Sequence, residues 1–268
     1  MRSEQLIAMP DLAPASTVRP AECDKHGAYD QQVTMILGRE FKTGCPECHR
    51  LRKEQDEAAQ LTAKAQAEQL AMAQKLGAAM IPPRFERKTF ASYQADTAPK
   101  AKALAVAREY ADNFREHAAA GRCLLMLGKP GTGKTHLSVA IANEIMRTSA
   151  ATAVYRTIGA VLQAIRASYD RASDQTEAQI IAGLVSPSLL ILDEIGASKE
   201  NPSEFELTTL FAIINGRYEQ QRPTVIVSNL GPKELASAIG ERCADRLREG
   251  GVIVLPFTWE SQRGKEGF

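Results

Sequence analysis

The stretch that decides the fold reads Gly128-Lys129-Pro130-Gly131-Thr132-Gly133-Lys134-Thr135. It fits the phosphate-loop pattern G-x-x-x-x-G-K-[ST] at every position. The apolar run Cys123–Leu127 before it predicts a strand, and His136–Thr148 after it predicts a helix. Glycines let backbone N–H groups converge on phosphate oxygens without clashes from Cβ atoms, and the helix N-terminus adds partial positive charge. The sequence therefore predicts a loop that binds ATP.

Two side chains of this loop have their own expected roles. We expect Lys134 to reach the β- and γ-phosphates, and the Thr135 hydroxyl to ligate Mg²⁺. The remaining nucleotide contacts are expected from the loop and the start of the helix, at Gly128, Pro130, Gly131, Thr132, Gly133 and His136.

Polar side chains follow two further apolar runs. Leu189–Leu192 predicts a buried strand that ends in Asp193 and Glu194. Ligands bind at the carboxyl ends of parallel strands, so Asp193 would hold Mg²⁺ through its hydration shell, and Glu194 would act as general base on water. The alternative is a strand that ends in solvated acids. Asn229, after the predicted strand Thr224–Ser228, would orient the same water, although Ser-Asn also suits a turn.

From residue 81 onward, strand and helix patterns alternate along the chain. Two more strands are predicted at Ala153–Thr157 and Val252–Leu255. Helices are predicted at Pro99–Ala120, Ile158–Tyr169, Glu204–Gln220, Pro232–Ile239 and Arg242–Arg248. This alternation predicts an α/β fold with a parallel sheet between helices.

The chain before residue 81 divides into three segments, and residues 81–268 form the predicted ATPase domain. Residues 1–20 contain three prolines and are interpreted as a disordered leader, and residues 21–50 hold a cysteine cluster. Residues 51–80 are rich in Ala, Gln, Glu and Lys and predict a helix that Ile81-Pro82-Pro83 ends. Its apolar positions are sparse, so it is either a solvated spacer or a helix that packs on a partner.

Two short ligand pairs, Cys23-x-x-His26 and Cys45-x-x-Cys48, lie in the second segment. Tetrahedral Zn²⁺ takes Cys and His ligands at closed structural sites. A segment of about 30 residues builds little core, so the metal would supply folding energy. His49 is a rival to His26 as the fourth ligand, and the alternative is three free cysteines in a loop.

Composition restricts the class of protein. The 268 residues are 44% apolar and 24% charged, as in soluble globular proteins, and no apolar run is long enough to span a membrane. The five cysteines are too few for a disulfide scaffold of this length, which favours a cytosolic protein. A net charge of +1 argues against a single copy as a dedicated duplex-DNA binder, but several copies could still surround one strand.

Together these motifs carry a resemblance that covers about two-thirds of the chain. The stretch from Ile81 to Arg263 resembles the bacterial DnaC-type replicative helicase loaders, which are AAA+ ATPases. The supporting residues are the phosphate loop, Leu190–Gly196, Ser228-Asn229, Ile239–Arg242, Asp245–Arg248 and Trp259–Arg263.

The resemblance implies roles that the residues alone do not. Asn229 becomes the first sensor, and Arg246 becomes the arginine finger that acts on the next subunit, with Arg242 as second choice. Arg263 becomes the second sensor, which touches the γ-phosphate in its own subunit. Without the resemblance, Arg242 and Arg246 would be interpreted as the solvated basic face of a helix.

The resemblance also implies partners. Such loaders self-associate through the ATP site, bind a replicative ring helicase and assemble around single-stranded DNA. The segment Arg156–Ile181, with Tyr169 and Arg171, resembles the inserted helical region that faces this DNA.

The cysteine pattern is absent from the helicase-binding region of the enterobacterial loaders, but related loaders carry a zinc-bearing N-terminal domain. By analogy, residues 21–80 would bind the helicase. Two alternatives remain at this point. The first is an IstB-type transposition helper ATPase that acts on duplex DNA, and the second is a zinc-finger regulator that uses ATP as a signal.

Overall fold

A computed structural model describes residues 16–197 and 202–262. The chain divides into two compact units, Met1–Gln69 and Leu70–Phe268. Among the described residues, no helix is both long enough and apolar enough to cross a membrane.

The first unit contains a three-stranded antiparallel sheet. Its strands are β1 (Ser16–Cys23), β2 (Gly27–Ile36) and β3 (Arg39–Lys42), in the order β1-β2-β3. Val33 in the central strand is buried. The helix α1 (Pro46–Ala78) follows the sheet and extends into the second unit.

The first strand corrects the predicted leader. β1 begins at Ser16, so the interpretation of residues 1–20 as disordered is wrong for residues 16–20, and residues 1–15 lie outside the described range. Pro20 pairs with Asp30 within β1 and β2. β1 is an edge strand, which is where proline is found in sheets.

The predicted helix over residues 51–80 is present but begins earlier, at Pro46. Proline is favoured in the first turn, where no N–H is needed for the helical ladder. None of the residues in α1 is buried. The choice between a spacer and a partner-binding helix therefore stays open at the level of the fold.

The second unit contains a parallel sheet of five strands in the order β5-β6-β7-β4-β8. The strands are β4 (Cys123–Gly128), β5 (Ala153–Thr157), β6 (Leu189–Ile195), β7 (Thr224–Ser228) and β8 (Val252–Phe257). Successive side chains serve opposite faces, as a strand requires: Leu124 and Met126 join one core cluster, and Cys123 and Leu127 join the other.

Helices cover both faces, which confirms the predicted fold class. The helices are α2 (Pro83–Glu86), α3 (Ala98–Asp112), α4 (Phe114–Ala119), α5 (Lys134–Thr148), α6 (Ile158–Ala167), α7 (Glu177–Val185), α8 (Glu204–Glu219), α9 (Pro232–Ile239) and α10 (Glu241–Glu249). Buried residues of α3 and α5 belong to one core cluster, and those of α6, α8, α9 and α10 belong to the other.

Two helices differ from expectation. The single helix predicted over Pro99–Ala120 is broken at Asn113, whose side chain donates to the Glu109 carboxylate. Asparagine competes for local hydrogen bonds and so often ends helices. The helix α7 was not predicted, although Thr176 and Gln179 form a capping box at its start.

Candidate functional site

The phosphate loop joins the end of β4 to the start of α5, and its glycines are required by their surroundings. At Gly128, φ is +140° and a Cβ atom would lie 2.1 Å from the Phe257 carbonyl oxygen. At Gly133, φ is +94° and a Cβ atom would lie 2.7 Å from the Tyr93 ring. No other residue type fits either position without moving the backbone or Tyr93.

Lys134 lies in the first turn of α5 with its side chain buried. Its ammonium donates to the carbonyl oxygens of Gly128 and Lys129 at 2.6 and 2.7 Å. It also donates to Asn229 Oδ1 at 2.9 Å. Asn229 directly follows β7, so the structure brings these two predicted site residues together at the carboxyl edge of the sheet.

Thr135 and Asp193 are also in direct contact. The Thr135 hydroxyl donates to Asp193 Oδ2 at 2.8 Å, and the backbone N–H of Glu194 donates to Asp193 Oδ1 at 2.7 Å. A hydroxyl beside a buried carboxylate is an oxygen pair of the kind that Mg²⁺ uses.

Sequence reasoning missed Tyr155, whose hydroxyl donates to Asp193 Oδ2 at 2.9 Å. Burial and the neighbouring Asp193 carboxylate raise the pKa of Tyr155, so its hydroxyl stays a donor. β5 and β6 are adjacent, with Thr157 paired to Asp193. Tyr155 could have been predicted as a contact of Asp193 only from the adjacency of these two strands. The local sequence pattern does not reveal strand order.

Glu194 is exposed at the end of β6, where its backbone has φ of 61°. This left-handed conformation is uncommon for a residue other than glycine and costs about 1 kcal/mol or more. The pairing of β6 with β7 shifts register between Leu192 and Ile195. At this irregularity the Glu194 side chain is exposed and the Asp193 side chain is buried.

The His136 side chain is directed away from the loop. Its Nε2 donates to the Thr89 carbonyl oxygen at 2.9 Å, and its ring packs edge-on against Tyr93 with centroids 5.3 Å apart. Burial lowers the pKa of His136. The side chain is thus engaged within the chain, and the nucleotide contact of His136 stays a prediction.

The Trp259–Gln262 segment, which follows β8, also contacts the loop. The Trp259 indole N–H donates to the Thr132 carbonyl oxygen, and the Gln262 backbone N–H donates to the Gly131 carbonyl oxygen. Arg263, the predicted second sensor, lies outside the described residues.

Arg246 lies far from the loop of its own chain. It lines a cavity with Cys123 and Thr224, the first residues of β4 and β7. The loop follows the last residue of β4, and the five steps of about 3.3 Å between its six residues place the two ends of that strand roughly 16 Å apart. Arg246 therefore marks the amino edge of the sheet, and the ATP loop marks the carboxyl edge.

Contacts within the chain hold the Arg246 side chain, which is 37% exposed. Its guanidinium lies 4.4 Å from the centroid of the Tyr218 ring and 3.6 Å from Glu249 Oε2. Arg242, one helical turn earlier on α10, is exposed.

The predicted DNA-facing segment Arg156–Ile181 contains the end of β5, α6 and the start of α7. Tyr169, between the helices, is 60% exposed, and its hydroxyl donates to Glu177 Oε2 at 2.8 Å. Arg171 is also exposed. The aromatic and the basic side chain are therefore open to solvent on one short connection.

The first unit brings its four predicted metal ligands together. Cys23, His26, Cys45 and Cys48 place one ligand atom each within 4.8 Å of all the others. His26 Nδ1 lies 3.7, 3.6 and 3.3 Å from the sulfurs of the three cysteines, and the sulfurs of Cys23 and Cys48 are 3.6 Å apart. Tetrahedral Zn²⁺ with bonds of about 2.0–2.3 Å separates its ligand atoms by about 3.5–3.8 Å, so the spacing fits.

Local structure explains this convergence. Cys23 and Gly27 pair across the turn between β1 and β2, and Cys45 and Cys48 flank the first turn of α1. Backbone hydrogen bonding at Lys25, followed by the His26 side chain, lowers the pKa of Cys23 to about 6. The rival ligand His49 is exposed and is not part of the cluster.

Comparison with known proteins places this site in a family. A model of the IstB-like ATP-binding proteins matches residues 54–246, more than half of the chain. The replicative helicase loader DnaC of Escherichia coli strain K12 is 31% identical over 185 residues, which cover 69% of this chain and 73% of the relative. The chain belongs to the IstB/DnaC family.

Solved structures related to the IstB/DnaC family share the fold. A crystal structure of the DnaC helicase loader matches with a TM-score of 0.58 and 22% identity, covering 66% of this chain and 99% of that one. The replication initiator DnaA bound to AMPPCP and single-stranded DNA matches with a TM-score of 0.55 and 21% identity, covering 68% of this chain and 52% of that one.

These findings confirm the predicted AAA+ architecture, ATP binding and ATPase class. The Cys23–Cys48 cluster lies outside the range that the IstB-like family model matches.

Proposed function

We propose that this protein is a cytoplasmic replicative helicase loader, which uses ATP to place a ring helicase on single-stranded DNA. The observation that carries the proposal is the relationship to DnaC over 73% of that loader's length. The ATP-dependent part of the proposal is supported by the contacts of Lys134 with Asn229 and of Thr135 with Asp193 at one edge of the sheet.

Each residue at this edge has a proposed task. The loop backbone and Lys134 bind the phosphates, and Thr135 with Asp193 holds Mg²⁺. Glu194, which projects to solvent, acts as general base on water, and Asn229 orients that water. The direct hydrogen bonds between Lys134 and Asn229 and between Thr135 and Asp193 support this arrangement.

The ATP site is completed by a second copy of the chain. Arg246 lies at the sheet edge opposite its own loop, so it acts on the ATP of a neighbouring subunit. An arginine in that position stabilises charge that develops on the transferred phosphoryl group. Arg242 is the second choice for this role, and Arg263 is proposed as the second sensor.

The N-terminal unit holds Zn²⁺ through Cys23, His26, Cys45 and Cys48, because their separations match tetrahedral coordination. With four protein ligands the ion is structural and leaves no open position for water. Residues 21–80 then bind the helicase. Exposed leucines on α1, among them Leu61 and Leu70, support a partner-binding role for this helix.

Single-stranded DNA is proposed to bind at Tyr169 and Arg171. An exposed aromatic ring beside a basic side chain suits base stacking and phosphate contact. The relatives named DnaC are replicative helicase loaders, which leaves the transposition helper and the zinc-finger regulator less favoured.

Size-exclusion chromatography of the full chain with the replicative helicase of its source organism tests the proposal. We expect a complex that depends on ATP, and we expect Lys134→Ala to abolish the ATP dependence, because the ammonium that binds the phosphates is lost. Absence of a complex with the helicase, together with tight binding to duplex DNA, would refute the loader function.

A further inference from the structure

The segment after β8 lies against the phosphate loop because of the sheet's topology. β8 pairs in parallel with β4, and Phe257 at its end is the partner of Gly128. Both strands end at the same edge, so the chain that leaves β8 starts beside the loop that leaves β4. We refer to residues Trp259–Gln262 as the C-terminal strap.

Two hydrogen bonds join the strap to loop carbonyls. The Trp259 indole N–H donates to the Thr132 oxygen at 3.0 Å, and the Gln262 backbone N–H donates to the Gly131 oxygen at 2.9 Å. The indole is itself held against the buried Phe257 ring, with centroids 4.9 Å apart. The two bonded carbonyls belong to consecutive loop residues.

Because the peptide bond is planar, each of these hydrogen bonds to a carbonyl also fixes the direction of the next residue's N–H group. In a planar trans peptide, the carbonyl of one residue and the N–H of the next point in opposite directions, and the described chain has no cis peptide. A bond to the Thr132 carbonyl therefore turns the Gly133 N–H to the opposite side of the loop. A bond to the Gly131 carbonyl does the same for the Thr132 N–H.

The strap differs from the other internal support of the loop. Lys134 donates to the carbonyls of Gly128 and Lys129 with the same ammonium that is expected to bind a phosphate, so this support shares its donors with the nucleotide. The bonds from Trp259 and Gln262 do not involve Lys134. Phosphate binding by Lys134 therefore does not compete for the donors that direct the N–H groups at the anion.

We propose that Trp259 is a positioning residue, which presents the N–H group of Gly133 to the phosphates of a nucleoside di- or triphosphate, while the Gln262 backbone does the same for the N–H group of Thr132. This inference rests on the proposed ATP site at the same loop. The contacts of the strap come from residues after β8, which the phosphate-loop motif does not include.

The variant Trp259→Phe tests the role, because it keeps an aromatic ring against Phe257 and removes the indole N–H. One neutral hydrogen bond corresponds to a change of about three- to tenfold. We expect Kd for ATP and ADP by calorimetry, and KM for ATP, to rise by that factor, with kcat at saturating ATP and the melting temperature without nucleotide unchanged.

Glu260→Gln is the matched control within the strap. Glu260 pairs with Lys129 between side chains that are both exposed, and a carboxylate cannot donate to a carbonyl as the Trp259 indole does. Screened surface pairs contribute little, so we expect less than about a twofold change in Kd.

A titration of the wild-type chain provides a measurement that needs no variant. Trp259 is the only tryptophan in the sequence, so intrinsic emission should change with ATP and saturate at the calorimetric Kd. If calorimetry shows ATP binding while emission stays constant and Trp259→Phe has the wild-type KM, the positioning role is wrong and the ATP site stands. Failure of the wild-type chain to bind ATP would overturn the proposed site itself.

Discussion

At the scale of single residues, Asp193 shows how the site depends on neighbours that are distant in sequence. Its carboxylate accepts hydrogen bonds from Thr135, from Tyr155 and from the backbone of Glu194. Each donor comes from a different element or from the next residue. A buried carboxylate is stable only with such donors, so the pocket that suits Mg²⁺ is preorganised by hydrogen bonds.

The zinc proposal can also be tested at a single residue, because His26 is the one nitrogen ligand in the proposed set of four. We expect His26→Ala to lose about one Zn per chain, because its Nδ1 lies within 3.7 Å of all three cysteine sulfurs. Atomic absorption on the purified chain measures this content.

His49→Ala is the matched control for the zinc measurement, because His49 is a nearby exposed histidine outside the cluster. It should keep its zinc. Equal metal content in His26→Ala and wild-type protein would contradict the assigned ligand set.

At the scale of elements, the bounds of a strand or helix can be predicted from sequence where residues within that segment determine them. β5, β7 and α9 have the predicted bounds, because apolar runs, turn residues and Pro232 at the helix start fix them within the segment itself. The helix α7 was missed because its Thr176–Gln179 capping box is a signal that reasoning from apolar periodicity does not use.

Contacts between elements could not be predicted in the same way. Tyr155 and Trp259 reach the site because β5 adjoins β6 and β8 adjoins β4. Strand order is set by packing across the whole sheet, so no window of sequence contains it. The motif residues could be predicted because their spacing along the chain identifies them. The supporting residues Tyr155 and Trp259 could not be predicted as contacts of the site, because those contacts depend on strand order.

The connection between α6 and α7 carries a prediction at this scale. We expect Tyr169→Ala to weaken binding of single-stranded DNA by about five- to a hundredfold, because stacking on one base is worth about 1–3 kcal/mol. The ring is 60% exposed, so the melting temperature should change little. Fluorescence anisotropy with a labelled oligonucleotide in the presence of ATP measures the affinity.

Tyr169→Phe separates stacking from local structure. It keeps the ring and removes the hydroxyl that donates to Glu177, so DNA affinity should stay near the wild-type value. If both variants bind DNA as the wild type does, this connection does not contact the strand.

At the scale of the whole molecule, the second unit holds the proposed arginine finger and the ATP loop at opposite edges of its sheet. The loop, Asp193 and Glu194 lie at the carboxyl edge of the sheet, and Arg246 lies at the amino edge. A single copy cannot bring them together without breaking the sheet. If Arg246 is the finger, as proposed, hydrolysis depends on assembly, which would let a loader consume ATP only on its target.

Mixing two inactive variants tests this intersubunit site. Arg246→Ala should bind ATP normally but lose hydrolysis by about a hundredfold or more, because it lacks the arginine for its neighbour. Glu194→Gln should also be inactive, because it lacks the general base, but it keeps Arg246. In an equimolar mixture, Glu194→Gln chains supply Arg246 to the intact sites of Arg246→Ala chains. We expect phosphate release on single-stranded DNA well above that of either variant alone, and a mixture no faster than its components would show that Arg246 does not act between subunits.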